Sequence, residues 1–147
     1  MGTSFTQSSW EHFDHAADMG ICATGASLEE TFAQAALGMT AIITDASISA
    51  SQSVAIRCQA PDAEILLIDW LNALVFEMAT GGKLFGRFDV HIEPAGEGLI
   101  LHATAWGERV DPEKHQPAVE IKGATYTALS VTERADGSWT ARCVVDV

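Results

Sequence analysis

Four short stretches carry side chains able to do chemistry. The first, HFDHAADMGI from His12 to Ile21, sets His12, Asp14, His15 and Asp18 close together. Carboxylates at Asp14 and Asp18 suit a hard cation, and the imidazoles of His12 and His15 a softer one. In an extended chain His12 and Asp14 share one face and His15 lies on the other, so the four polar groups do not converge locally. The competing local reading is an exposed strand end running into a turn-forming Asp-x-Gly, Asp18-Met19-Gly20. The second stretch is the end, VVDV, where Asp146 precedes the α-carboxylate of Val147. Two anionic groups that close repel unless solvated, protonated or paired with a cation, and calcium accepts such oxygens. Here the competing reading is a frayed, solvated end. The third is Lys122 in EIKGAT, which beside Glu120 also reads as an ordinary surface lysine. The fourth is GERVDPEKH, where Glu108, Asp111, Glu113 and His115 are enough for a site and equally typical of a solvated loop.

Composition narrows the field. The chain has 147 residues, 8 basic against 20 acidic, and a formal net charge of −12. Nucleic-acid binders draw most of their affinity from Lys and Arg, so direct strong RNA or DNA binding is not expected. A basic protein partner or a divalent cation suits the field better. Cys22, Cys58 and Cys143 are odd in number and form no CxxC, which points to buried thiols in a reducing cytoplasm and away from a zinc knuckle. No stretch reaches the roughly 20 apolar residues of a membrane span. The start, MGTSFT, lacks the features of a secretory signal; it satisfies the loose myristoylation pattern, but no basic residues support it. No P-loop, G-x-G-x-x-G, HExxH or nucleophile elbow is present.

Two helices must position these residues. In SLEETFAQAALGMTAIIT, Leu28, Phe32, Ala35, Ala36, Met39 and Ile43 share a face, and Ser27 with Glu30 forms a capping box. In DAEILLIDWLNALVFEMATGGK, Asp62 is the N-cap and Gly81-Gly82 the stop, and apolar residues cover much of the circumference, as in a central helix. A shift of 35 positions lays Ile21 on Ile56, Ser27 on Asp62, Phe32 on Leu67 and Met39 on Leu74, which suggests a duplicated strand–helix unit. Beyond Gly82 the texture is that of strands. RFDVHIEP alternates and pairs through GEG with LILHATAWGE, VDPEKHQP is a polar loop, and AVEIKGATYTALSVTER and SWTARCVVDV flank the turn ADGS. The expectation is a single α+β domain over 1–147, mostly antiparallel sheet with two main helices.

In order along the chain, these pieces resemble the archease family, the small acidic accessory proteins of the GTP-dependent RNA ligase that joins tRNA halves. His15-Ala16-Ala17-Asp18-Met19-Gly20 is similar to the family's H-T-A-D-hydrophobic-G opening, and LLIDWLNALVFEM to its L-L-x-x-W-L-N-x-L segment. GERVDPEKH resembles its G-E-x-x-D-x-x-(K/R)-H loop, IKGATYTALSV its I-K-A-x-T-Y-H segment, and VVDV its closing apolar-Asp-apolar end. The resemblance implies an activator that promotes ligase guanylylation and repeated turnover and has no independent catalysis. It also implies a divalent cation, usually calcium, on Asp18, Asp146 and Val147, with Lys122 as a functional residue. His15, Glu108, Asp111 and His115 are weaker candidates. Three positions depart from the family pattern: Ala16 stands for Thr, Gly123 for Ala, and Thr127 for a frequent His. The alternative reading is a metal-dependent hydrolase of phosphoesters built on Asp18, Asp146 and the acidic loop; without an evident base or nucleophile it is the weaker of the two.

Overall fold

In the computed structural model, residues 7–147 are described; the MGTSFT pattern lies outside them. The elements run β1 (Ser9–His15), β2 (Asp18–Gly25), α1 (Leu28–Ile43), β3 (Gln52–Ala60), α2 (Ala63–Gly81), β4 (Lys83–Ala95) and β5 (Gly98–Arg109). There follow α3 (Pro112–His115), β6 (Gly123–Ala124), β7 (Ser130–Glu133) and β8 (Trp139–Asp146). One antiparallel sheet has the order β1-β2-β8-β6, with β7 also paired to β8; a second has the order β3-β5-β4. This is an α+β fold with antiparallel sheets, as the sequence pattern predicts.

Both main helices begin and end where their capping residues dictate. The Ser27 hydroxyl accepts from Glu30 N–H at 3.1 Å, and the Asp62 carboxylate accepts from Ile65 N–H at 2.9 Å. The capping box is a variant, because the Glu30 carboxylate reaches back to Ala26 N–H and not to Ser27. Gly82 closes α2 at φ 62°, a left-handed conformation that glycine adopts without steric penalty. The 35-residue offset is visible as two strand–cap–helix units, β2–α1 and β3–α2, whose strands lie in different sheets. Its matched residues Ile21 and Ile56, Phe32 and Leu67, Met39 and Leu74 are all buried in one connected core. Helix α1 packs on β2 and β8 and also on β4, so it joins the two sheets; α2 packs on β3 and reaches β6 and β7. Trp70, fully buried, donates from Nε1 to the Phe32 carbonyl at 3.0 Å and ties the two helices together.

Three local expectations change. The turn in the opening run is Ala16-Ala17 and not Asp18-Met19-Gly20, because His15 pairs with Asp18 and Gly20 lies inside β2. The polar loop after β5 contains the short helix α3, capped by Asp111. Between Ala118 and Arg134 the alternation does not yield one strand. Only the short β6 and β7 form, separated by a turn with Ala128 at φ 54°, while the hairpin from β7 to β8 holds as expected.

Candidate functional site

The register of the larger sheet brings distant residues into one row. Strands β2 and β8 pair through Met19 and Val145, so one step further Asp18 stands across from Asp146. His15 pairs with Asp18 on one side, and Gly123 pairs with Asp146 on the other. Residues directly opposite in an antiparallel pair project from the same face, with Cβ atoms about 4.5–5.5 Å apart. His15, Asp18 and Asp146 therefore line one face at one end of the sheet. This is the face opposite the core, since Ile21, Ala23, Cys143 and Val145 point inward. Lys122 N–H donates to the Asp146 carbonyl at 2.8 Å, and the Lys122 side chain is exposed. Val147 is half-buried and packs against the core, so the chain end is held and not frayed.

None of the side chains of His15, Asp18, Lys122 and Asp146 makes a hydrogen bond or ion pair among the described residues. No three His, Cys, Asp or Glu side chains form a metal cage among the described residues. Asp18 and Asp146 offer carboxylate oxygens at this end, a donor type that suits hard cations.

The GERVDPEKH loop is built on the opposite principle. The Glu108 carboxylate accepts from Lys114 Nζ at 2.7 Å, Ser49 N–H at 2.8 Å and His115 Nε2 at 3.1 Å. Asp111 caps α3 by accepting from Glu113 N–H at 3.0 Å. Asp111 N–H in turn donates to His115 Nδ1 at 2.8 Å, which fixes Nε2 as the protonated nitrogen of a neutral ring. The Thr44 hydroxyl donates to the His115 carbonyl, and Ala118 N–H donates to the Ile43 carbonyl at 2.8 Å. The loop thus clamps the C-terminus of α1 and roots the segment that leads to Lys122. The hydrogen bonds from Lys114, Ser49 and His115, in that order, hold the Glu108 carboxyl down at about 2. Glu108, Asp111 and His115 are committed to one another, and His115 is buried.

Two positioning residues carry no chemical signal in the sequence. A Cβ on Gly20 would lie 2.2 Å from the Phe13 ring, so glycine here lets that ring lie flat on β2. The Arg142 guanidinium then stacks over the same ring at 4.5 Å, which binds β1, β2 and β8 into the row that holds Asp18 and Asp146. Asn72, inside the WLN run, accepts from Ala124 N–H at 2.8 Å and fixes β6 just after Lys122. Of the three unusual positions, Gly123 faces Asn72, whose Oδ1 lies 3.2 Å from where a Cβ would be. Ala16 sits at φ 53° in the turn, and Thr127 is exposed with its N–H on the Thr125 hydroxyl. His12 turns inward, within 2.8 Å of the Gly38 carbonyl of α1, which makes it a structural residue.

An α+β protein with two strand–cap–helix units, a clamp loop and an acidic sheet end is thereby defined. The Archease protein family (MTH1598/TM1083) matches residues 10–147. The protein archease of Pyrococcus furiosus is 37% identical over 139 residues, covering 94% of this chain and 98% of that protein. That of Sulfolobus acidocaldarius is 38% identical over a similar span. The solution structure of Methanobacterium thermoautotrophicum protein 1598 superposes with a TM-score of 0.81 at 34% identity, covering 95% of this chain and 99% of the other. The chain belongs to the archease family. No helix among the described residues is long and apolar enough to cross a membrane.

Proposed function

We propose that this protein is an accessory activator of a GTP-dependent RNA ligase in tRNA splicing or RNA repair, acting through the acidic sheet end. The observation that carries this reading is the row in which Asp18 and Asp146, distant in sequence, face each other with no hydrogen-bond or ion-pair partner among the described residues. Asp18, Asp146 and the carboxylate at Val147 would hold a divalent cation, calcium first, and Lys122 beside them would meet a phosphate or carboxylate of the ligase. A bound cation would supply charge neutralisation, letting an acidic surface approach a metal- and nucleotide-loaded active site; the ligase does the covalent chemistry. The net charge of −12 fits a protein partner better than direct binding to RNA. The three free cysteines fit the reducing cytoplasm.

The test is ligase turnover with RNA ends, GTP and a divalent ion, with and without this protein. Multiple turnover rises when the protein is added, and Asp18→Asn or Asp146→Asn removes most of the gain while the fold, checked by circular dichroism, is kept. Extending the chain beyond Val147 displaces its carboxylate without touching a side chain and lowers cation affinity. Ligase turnover unchanged by the protein across several divalent ions would sink the proposal. The hydrolase reading gains nothing from the geometry, because His115 is already committed to Asp111 and Glu108.

A further inference from the structure

The second sheet has one face in the core and one in solvent. From β3, β5 and β4 the exposed face presents aligned rows: Ser53, Trp106 and Arg87; Ala55, Thr104 and Asp89; Arg57, His102 and His91. The first row is occupied, with Arg87 stacked 4.6 Å over the Trp106 ring. The middle row is small, and over it lies a cavity of about 350 Å³ lined by Ala55, Arg57, Asp89, His91, His102 and Thr104. His91 and His102 stand directly opposite one another at its edge. Both are exposed, and neither has a hydrogen bond or ion pair among the described residues.

We propose that His91 and His102 form a chelating site for a borderline transition-metal ion of the zinc, copper or nickel class. Cross-strand partners place their Cβ atoms about 4.5–5.5 Å apart on one face, which lets two imidazoles turn a nitrogen each toward one ion. Neutral imidazole selects such ions over calcium and magnesium, which prefer oxygen. The nearest cation does not block the site, because Arg57 directs its guanidinium along β3 to the Gln59 side chain at 3.4 Å. Asp89, two residues before His91 on the same face, adds a negative neighbour, and the net charge of −12 draws divalent cations to the surface. Since no three ligating side chains converge among the described residues, the protein supplies two nitrogens and water completes the shell. The site is chemically unlike the acidic sheet end, which offers oxygens, and it stands whether or not the ligase proposal does.

Zinc chloride titrated by calorimetry into the untagged full chain tests this. One ion binds per chain, and His91→Gln or His102→Gln each weakens binding about tenfold or more, the scale seen when a metal's support is removed. Both substitutions lie on a solvent face, so the thermal melt stays that of the wild type. The Asp18→Asn/Asp146→Asn double variant binds zinc as the wild type does, and calcium does not compete for the histidine site. In parallel, the imidazole nuclear magnetic resonance signals of His91 and His102 shift on zinc addition. Zinc affinity unchanged in the His91→Gln/His102→Gln double variant, no measurable zinc binding by the wild type, or loss of binding only in the aspartate variant each overturns the proposal.

Discussion

The Asp18 end of the larger sheet and the clamp loop at the C-terminus of α1 are both rich in polar residues. In the clamp three of the groups are used: Glu108 takes three donors, His115 uses both ring nitrogens, and Asp111 caps α3. At the sheet end, the side chains of Asp18, Asp146 and Lys122 have no hydrogen bond or ion pair among the described residues. His115 is buried, and leaving its polar atoms without partners would cost about 1–3 kcal/mol. Unpaired charges at a surface cost the fold little and remain available to a ligand. Polar clustering alone therefore does not mark a site; what separates the two regions is whether the protein already satisfies the groups.

The most forceful way to break this contrast is to empty the clamp. His115→Ala removes a buried ring, takes the acceptor from Asp111 N–H and leaves a void in its place. The expected loss is about 2–4 kcal/mol in urea unfolding, from cavity and lost hydrogen bonds together. A loss near zero would show that the clamp does not hold α1. Next in size is Gly20→Ala. A methyl 2.2 Å from the Phe13 ring expels that ring from β2, at about 1–3 kcal/mol, and loosens the Arg142 stack. Because the ring aligns β1, β2 and β8, this variant should also weaken cation binding at Asp18 and Asp146, which His115→Ala should not.

A milder probe is pH. Glu108 is held at about 2 in the fold, below its ordinary value of 4.5. A lowered carboxyl contributes stability that is complete above its unfolded value and is lost as pH falls through the folded one. The wild type should therefore lose stability from about pH 4.5 down to about pH 2, and Glu108→Gln should flatten that part of the curve. Urea unfolding at pH 5, 3.5 and 2.5 reads the slope; equal slopes in the two proteins would mean that the clamp carboxylate is not preferentially bonded in the fold.

How much of this was legible in the sequence differs element by element. The helices are readable because Ser27, Asp62 and Gly82 punctuate them locally and their apolar faces repeat. The hairpins at GEG and ADGS are readable for the same reason. The run from Ala118 to Arg134 misleads, since alternation around Val119 and Ile121 imitates a strand. The chain spends those residues instead in bonds to Ile43, Asn72 and Val144, with a left-handed turn at Ala128. The meeting of Asp18 with Asp146 is illegible locally. It depends on strand register between β2 and β8, a long-range property that neither segment specifies alone, and only the family resemblance pointed to that pair. Gly20 was read as a turn residue and Asn72 only within the WLN segment, because what matters is the ring and the main chain they accommodate.

The smallest expected effect on stability is also the sharpest statement of the contrast. Asp18 and Asp146 repel across the row, and like charges directly opposite are mildly destabilising in a sheet. Replacing either by Asn keeps the shape and removes one charge, so stability should stay within about 0.5 kcal/mol of the wild type, on the favourable side. Calcium should raise the melting midpoint of the wild type, because a ligand that binds only the folded state stabilises it, and should leave that of either variant nearly unmoved. A large stability loss in Asp18→Asn would mean the aspartates belong to the scaffold, as Glu108 does. An equal calcium response in wild type and variants would place the cation elsewhere. If stability holds while the calcium response vanishes, the two carboxylates are kept for a ligand and not for the fold.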